Sequence, residues 1–128
     1  MQEQEYGQIK LKVFQTRKEM GLTAAKEATK ALKEMLDKKD EVNCIFAAAP
    51  SQNEFLDSLL SAELPWERIN AFHMDEYVGL ERFSEKSFSR FLRDAIFSKR
   101  PFKTINYIDG MADIDEERAR YSKLLEEF

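Results

Sequence analysis

Apolar and polar residues alternate along the chain with two different periods, and these periods predict four strands separated by helices. Strand-like patterning occurs in four segments: Ile9–Phe14, Val42–Ala49, Ile69–His73 and Thr104–Ile108. The first segment alternates with a period of two, which is typical of a strand with one covered face. The second is almost continuously apolar, as expected of a strand buried on both faces.

Helices are predicted between the strands, because apolar residues recur there every three or four positions. Thr16 can cap the first helix, and Gly21 weakens it locally. Ser51 and Glu54 have the S-x-x-E spacing of a capping box, which predicts the start of the second. Asp113 and Glu116 offer another capping box, at the start of the fourth. The predicted helices run from Thr16 to about Lys38, from Ser51 toward Pro65, over Ser84–Phe97 and from Asp113 to Phe128.

The alternation of strands and helices predicts the α/β fold class. Crossovers of ten or more residues imply parallel neighbours, so we expect an open, mostly parallel, Rossmann-like sheet in a three-layer αβα arrangement. We expect residues 1–128 to form a single α/β domain. Phe128 lies within the apolar stripe of the last predicted helix. This position favours a chain that is the truncated, N-terminal portion of a larger fold.

Composition and charge exclude several classes of function. The sequence is 43% hydrophobic and 34% charged, which is typical of a soluble globular protein. A net charge of −4 without a basic stripe argues against nucleic-acid binding. No membrane-spanning stretch or signal peptide is evident, so we expect a cytoplasmic protein without a membrane partner. Cys44 and His73 are the only cysteine and histidine, and they do not form a transition-metal ligand set.

Two strand-end loops are candidates for a ligand site, because ligands of open α/β sheets bind beyond the carboxyl ends of the strands. Pro50–Asn53 leads from the second predicted strand into a helix N-terminus. Free backbone N–H groups at such a terminus favour an anion such as a sugar phosphate. Plain helix capping explains the same segment equally well, and the segment lacks the glycines of a typical phosphate loop.

The second candidate loop begins with two carboxylates, Asp75 and Glu76, directly after the third predicted strand. Side chains alternate between the two faces of a strand, so these two carboxylates should diverge and at most one should enter a crevice. A solvated acidic turn is the alternative interpretation from composition alone. His73 fits a hydrogen-bonded strand residue better than a catalyst, and Cys44 fits a buried, inert thiol.

The segment Phe72–Leu80, with the sequence FHMDEYVGL, resembles the F-x-M-D-E-Y-V-G-L signature of the glucosamine-6-phosphate deaminase (isomerase) family. That family is related to the 6-phosphogluconolactonases. The order of elements from about Ile9 to Phe128 is also similar to the first half of a family member. The resemblance implies conversion of glucosamine 6-phosphate into fructose 6-phosphate and ammonia, with no cofactor.

The resemblance also implies roles for residues in both loops. Asp75 would be the base that moves a proton between C2 and C1 of the open-chain sugar, and Glu76 would help to set the loop. The first loop departs from the glycine- and threonine-rich phosphate loop of the family, although its side chains can still donate hydrogen bonds. The catalytic candidates are Asp75 and Glu76, and the substrate-binding candidates are Ser51, Gln52, Asn53 and Tyr77.

A second family motif, a glycine-rich stretch with a histidine and a following glutamate, does not occur in the 128 residues. We therefore expect the chain alone to be an incomplete enzyme. Its expected partners are a phosphorylated sugar and either a second copy or the missing C-terminal half. Two alternatives remain: a non-catalytic sugar-phosphate-binding or interaction module on the same fold, and a 6-phosphogluconolactonase-like hydrolase.

Overall fold

Strands and helices alternate along most of the chain in the computed structural model, which describes residues 1–128. The strands are β1 (Gln2–Tyr6), β2 (Ile9–Val13), β3 (Val42–Phe46), β4 (Ile69–His73) and β5 (Thr104–Asn106). The helices are α1 (Arg17–Leu36), α2 (Asn53–Leu60), α3 (Phe88–Leu92) and α4 (Ile114–Glu127). Short 3₁₀ turns at Pro50–Gln52 and Trp66–Arg68 precede α2 and β4, and a π-helical turn at Arg93–Phe97 continues α3.

Three of the strands form a parallel sheet in the order β3-β4-β5. The register pairs Val42 with Ile69 and Asn70 with Thr104. All five residues of the central strand β4 are buried. This is expected of the middle strand of a parallel sheet, which is covered on both faces. The predicted α/β class with a parallel sheet is confirmed.

The first predicted strand lies outside this sheet. Ile9–Val13 pairs antiparallel with Gln2–Tyr6, an unpredicted strand, and the two form a separate hairpin. Gly7 turns the hairpin with a φ of +62°, a backbone conformation that glycine adopts without strain. Alternation in β2 indicates a half-covered strand, but it carries no information about which strand pairs with it.

Helices lie on both faces of the parallel sheet. On one face, Ile69 and Ala71 of β4 join the main hydrophobic core, which α1, α2 and α3 complete. On the other face, the ring of Phe72 meets Tyr121 and Phe128 edge to face, at centroid distances of 6.0 and 5.4 Å. Helix α4 therefore covers the side of β4 opposite the main core.

The face under α4 is only partly covered. Ile45 of β3 pairs with Phe72 in the parallel register, so both side chains lie on this face, yet Ile45 is 58% exposed. Leu125 and Phe128 of the neighbouring helix end are also exposed. Parallel sheets are normally covered on both faces. This exposed area around Ile45 can accept a further layer of protein.

Helices α1 and α2 approach each other most closely at Gly21. A Cβ atom at this position would lie 2.6 Å from Cβ of Glu54 and 2.8 Å from the backbone nitrogen of Phe55. Real Cβ atoms do not tolerate such distances. Gly21 therefore permits the crossing of the two helices, beyond the local weakening of α1 that the sequence predicts.

The predicted caps at Thr16 and Asp113 are confirmed. Oγ1 of Thr16 accepts a hydrogen bond from the backbone N–H of Glu19 at 3.1 Å. At the start of α4, Oδ1 of Asp113 accepts from the N–H of Glu116 at 3.0 Å. Both bonds satisfy backbone donors that a helix N-terminus leaves free.

The predicted capping box of Ser51 and Glu54 is wrong. A 3₁₀ turn at Pro50–Gln52 postpones the start of α2 to Asn53, and no side chain caps that helix. The Glu54 carboxylate instead forms an ion pair with Arg17 at 2.8 Å. The spacing of Ser51 and Glu54 fits a capping box, but Arg17 at the start of α1 binds the Glu54 carboxylate instead.

Candidate functional site

The candidate site lies in the loop that follows β4 at the carboxyl edge of the sheet. This segment, residues 74–79, is called the β4 loop below. It contains the predicted residues Asp75, Glu76 and Tyr77, and it leaves the sheet beside the end of β3, where the backbone N–H of Met74 donates to the carbonyl of Phe46 at 3.2 Å. The strand order thus places the β4 loop next to the segment that follows β3.

The Glu76 carboxylate organises the β4 loop. It accepts hydrogen bonds from three backbone N–H groups, those of Tyr77 at 3.0 Å, Phe88 at 2.9 Å and Ser89 at 2.8 Å. The last two belong to the first turn of α3, where the partial positive charge of the helix favours a carboxylate. Glu76 therefore fixes the loop to α3.

The Asp75 carboxylate forms no hydrogen bond or ion pair within the chain, and the residue is exposed. Its backbone is held, because the Asp75 carbonyl accepts from Nδ1 of the buried His73 at 2.9 Å. The structure thus presents Asp75 as an unengaged carboxylate on a fixed backbone. It does not place this side chain inside an enclosed cavity.

Tyr77 and Gly79 complete the β4 loop. The Tyr77 ring stacks on Phe88 with centroids 4.7 Å apart, and Tyr77 remains 52% exposed. The Gly79 N–H donates to the carbonyl of Gly110 at 2.8 Å. Gly110 has no room for a side chain, because a Cβ there would lie 2.3 Å from the Tyr77 carbonyl oxygen. The turn after β5 is therefore packed directly against the β4 loop.

The segment between the β4 loop and α3 is ordered by serine hydroxyls. Ser87 caps α3 by accepting from the N–H of Arg90 at 3.1 Å, and its hydroxyl donates to the carbonyl of Ser84 at 2.8 Å. The Ser89 hydroxyl accepts from the N–H of Phe83, a residue with the unusual φ of +65°. The sequence predicted a helix that begins at Ser84. These bonds explain why it begins at Phe88 instead.

The first candidate loop, Pro50–Asn53, is held by Arg17. One Nη2 group donates to the carbonyl of Pro50 and to the Glu54 carboxylate, both at 2.8 Å. This pairing lowers the pKa of Glu54, with the Arg17 hydrogen bond as the largest cause. Since Arg17 partly neutralises Glu54, the carboxylate opposes an anion at this loop less than an unpaired one would. The loop's dependence on Arg17 was not evident from the sequence, because the two segments lie 33 residues apart.

The structure does not bring all predicted site residues into one cavity. Ser51 and Gln52 line a cavity of about 270 Å³ against α1, and Asp75 is not part of that lining. Asn53 is the first residue of α2 and is exposed. The two loops follow neighbouring parallel strands and therefore share one edge of the sheet.

A cavity of about 260 Å³ between the β4 loop, the turn after β5 and α4 was not predicted from the sequence. Its walls are largely apolar, with Val78, Ile108 and Leu125 among them, and Glu76 and Glu117 also line it. Glu117 pairs with Arg120, which lowers the Glu117 pKa. The apolar residues of α4 recur every three or four positions, which predicts a buried helix face. That pattern does not predict the cavity beside the face.

Two other observations bear on chemistry. Burial raises the pKa of the Cys44 thiol to about 11, so the thiol is protonated at neutral pH and unsuited to nucleophilic attack. No three histidine, cysteine or carboxylate side chains converge in a way that could hold a metal ion.

Among the helices, none combines the length and apolarity required to cross a bilayer.

Comparison with known proteins identifies relatives of the chain. The glucosamine-6-phosphate deaminase of Ligilactobacillus salivarius is 35% identical over 104 residues, which are 80% of this chain and 44% of that protein. The corresponding enzyme of Streptococcus equi is 31% identical over 107 residues, 83% of this chain and 45% of that protein. The chain is related to the glucosamine-6-phosphate deaminases. The resemblance predicted from residues 72–80 is confirmed, although no protein-family model matches the chain.

Solved structures support the same fold. A monomeric glucosamine-6-phosphate deaminase superposes with a TM-score of 0.75 at 23% identity, covering 89% of this chain and 48% of that structure. A 6-phosphogluconolactonase from Thermotoga maritima superposes with a TM-score of 0.74 at 18% identity, covering 84% and 50%. The chain thus spans about half the length of the deaminases and lactonases that it matches.

Proposed function

We propose that this chain supplies the proton-transfer base of a sugar-phosphate isomerase/deaminase, and that the base is Asp75. The observation that supports this proposal is the contrast within the β4 loop. Hydrogen bonds hold the backbone of Asp75 and the side chain of Glu76, while the Asp75 carboxylate has no partner. A general base needs a fixed position and a free lone pair, and Asp75 has both.

The proposed reaction converts glucosamine 6-phosphate into fructose 6-phosphate and ammonia. Asp75 removes the proton from C2 of the open-chain sugar and returns it to C1 through an enediol-like intermediate, while the C1 oxygen gains one proton and the amine nitrogen loses one. The transfer leaves an imine at C2, and water then hydrolyses the imine to the ketone and ammonia. This chemistry needs one carboxylate that reaches two adjacent carbons.

Pro50–Asn53 is the proposed binding segment for the phosphate end of the sugar. The side chains of Ser51, Gln52 and Asn53 are the proposed donors, because the backbone N–H groups of Gln52 and Asn53 already donate within the 3₁₀ turn. The Arg17–Glu54 ion pair reduces the negative charge that would oppose a phosphate there. Tyr77 is proposed to border the sugar beside Asp75, because its ring is exposed while its position is fixed by Phe88.

The complete site is proposed to require more protein than these 128 residues. Asp75 is open to solvent, and it does not line the cavity beside Ser51 and Gln52. A further segment of polypeptide, covalently continuous or assembled from another chain, would shield the carboxylate from bulk water. Partial desolvation strengthens a carboxylate base.

The substitution Asp75→Asn tests the proposal in the complete protein, where this chain is accompanied by the remainder of the deaminase length. We expect the turnover of amino-sugar phosphate to fall by about 10²- to 10⁴-fold, the usual contribution of general base catalysis. The fold should be retained, because the Asp75 side chain is exposed and forms no hydrogen bond or ion pair within the chain. Asp57→Asn, an exposed carboxylate on α2, is the matched control. Undiminished turnover by Asp75→Asn would contradict the proposal.

A second candidate function is a non-catalytic sugar-phosphate-binding module. The glycine-free segment Pro50–Asn53 and the solvent exposure of Asp75 favour it. Calorimetry on the complete protein separates the two functions, since tight sugar-phosphate binding without turnover supports the module. Hydrolysis of 6-phosphogluconolactone in the same preparation would favour the third function, which ranks below the others because the lactonase likeness concerns the fold alone.

A further inference from the structure

The imidazole of His73 connects two loops at the carboxyl edge of the sheet. Its Nδ1 atom lies 2.9 Å from the carbonyl oxygen of Asp75, and its Nε2 atom lies 3.0 Å from the backbone nitrogen of Ile108. The residue is 1% exposed, so water does not compete for either contact. His73 therefore bridges the β4 loop and the segment that follows β5.

These two contacts define one state of the ring. A carbonyl oxygen can only accept, so Nδ1 must carry the proton, and an amide N–H can only donate, so Nε2 must be unprotonated. The ring is thus neutral and in the Nδ1–H tautomer. Protonation of Nε2 would place its N–H against the N–H of Ile108. The bond from Ile108 would then break, and that N–H would have no acceptor.

The groups that face the ring are consistent with this state. Rings of Tyr107, after β5, and Tyr121, from α4, flank the imidazole edge to face at 6.1 and 6.3 Å. Asp75 and Glu76 of the β4 loop are the nearby charges, and they favour a protonated ring. Burial outweighs them and lowers the pKa of His73.

Beyond the bond from the Met74 N–H to the Phe46 carbonyl at the edge of the sheet, three attachments hold the β4 loop, and His73 provides one of them. Glu76 fixes the middle of the loop to α3, and Gly79 fixes its end to Gly110. His73 fixes its beginning through the Asp75 carbonyl. Of the three, only the bond from His73 acts on the residue that carries the proposed base.

We propose that His73 is a positioning residue, which in its neutral Nδ1–H form holds the backbone of Asp75 in register with Ile108 and so sets the place of the Asp75 carboxylate. The catalytic consequence rests on the proposed function of Asp75. The structural bridge itself does not, because it concerns contacts within this chain. The two parts are therefore tested by separate measurements.

The first measurement uses the 128-residue chain and needs no activity. His73 is the only histidine, so the ¹⁵N signals of the imidazole in a labelled sample belong to this residue. We expect a pyrrole-type shift at Nδ1 and a pyridine-type shift at Nε2 at neutral pH. The opposite tautomer, or averaged shifts of a freely exchanging ring, would overturn the proposal.

Two amide variants separate the two bonds of the bridge. The side chain of His73→Asn can reach the Nδ1 position and keep the bond to the Asp75 carbonyl, whereas that of His73→Gln can reach the Nε2 position and accept from Ile108. We expect amide hydrogen exchange at Ile108 to accelerate about tenfold or more in His73→Asn only. Backbone mobility at Asp75 should rise in His73→Gln only. Ile69→Val, at the other end of β4, controls for a general loss of stability, and identical behaviour of the two amide variants would overturn the bridge.

The second measurement uses turnover by the complete protein. We expect kcat to fall roughly 10- to 100-fold in His73→Gln, with a much smaller fall in His73→Asn and little change of KM in either, because misplacement of a catalytic group by about 1 Å has effects of this size. Equal kcat values in both variants would overturn the positioning role. If Asp75→Asn retains full turnover while the tautomer and exchange results hold, the proposed function fails and the bridge stands.

Discussion

The carboxylates of Asp75 and Glu76 are adjacent in the sequence and have opposite environments in the structure. Glu76 accepts three backbone hydrogen bonds and joins the β4 loop to α3, whereas the Asp75 carboxylate has no partner within the chain. One acidic residue thus stabilises the loop and the other remains free to react. Loop support by Glu76 and the proton transfer proposed for Asp75 can therefore be separated by mutation.

Glu76→Gln should destabilise the chain. The amide replaces one acceptor oxygen with an NH₂ group, which opposes the backbone N–H of Phe88 or Ser89. We expect the free energy of unfolding to fall by about 1–3 kcal/mol, the cost of losing charge-assisted bonds to a helix N-terminus. Urea denaturation measures this change. Glu85→Gln, an exposed residue of the following segment, should change stability by less than about 0.5 kcal/mol, and equal effects of the two substitutions would contradict the role of Glu76.

Gly21→Ala should also destabilise the chain, although helix propensity alone predicts the opposite sign. An alanine in a helix interior is favoured over glycine by about 1 kcal/mol. At this position the added Cβ would lie 2.6 Å from Cβ of Glu54, so α1 and α2 must move apart. We expect a net loss of about 1–3 kcal/mol in urea unfolding. Lys30→Ala, on an exposed part of α1, is the control, and a stabilised Gly21→Ala would show that the crossing adjusts freely.

Stability should depend on pH through His73. Burial lowers its pKa in the folded chain below the ordinary value of 6.5. Below about pH 6.5 the unfolded chain therefore binds a proton that the folded chain does not, and the free energy of unfolding decreases as the pH falls toward the folded pKa. The slope for one proton is at most about 1.4 kcal/mol per pH unit. Urea unfolding measured below about pH 6.5 should show this loss of unfolding free energy in the wild type and not in His73→Gln. Parallel plots of unfolding free energy against pH for the two proteins would refute the role of His73.

Ile45→Glu should weaken association of the chain. Ile45 lies on a parallel sheet and is 58% exposed, so we expect this face to pack against a second copy or against another polypeptide segment. A carboxylate buried there without a partner should reduce the association constant by at least about tenfold. Sedimentation velocity measures the change, and circular dichroism checks the fold. Ile9→Glu, on the separate hairpin, is the control. A wild-type chain that associates neither with itself nor with another segment would contradict the prediction.

Local patterns predicted most of the secondary structure and failed where distant segments compete. The caps at Thr16 and Asp113 could be read from the sequence, because a capping bond joins residues only three positions apart. The Ser51–Glu54 box failed, because Arg17, from another helix, binds the same carboxylate. Strand β2 was predicted correctly as a strand, but its pairing with β1 depends on a contact that periodicity does not encode.

The sequence by itself determined the alternation of strands and helices, the position of Asp75 at a strand exit and the relationship to the deaminases, because these depend on short-range patterns and on a nine-residue signature. Only the tertiary structure decided that Glu76 is engaged while Asp75 is free, and that Asp75 does not line the cavity beside Ser51 and Gln52. It also assigned the tautomer of His73. The physical reason is that a hydrogen bond selects its partner by position in space, and residues such as His73 and Ile108 meet only after β4 and β5 pair in the sheet.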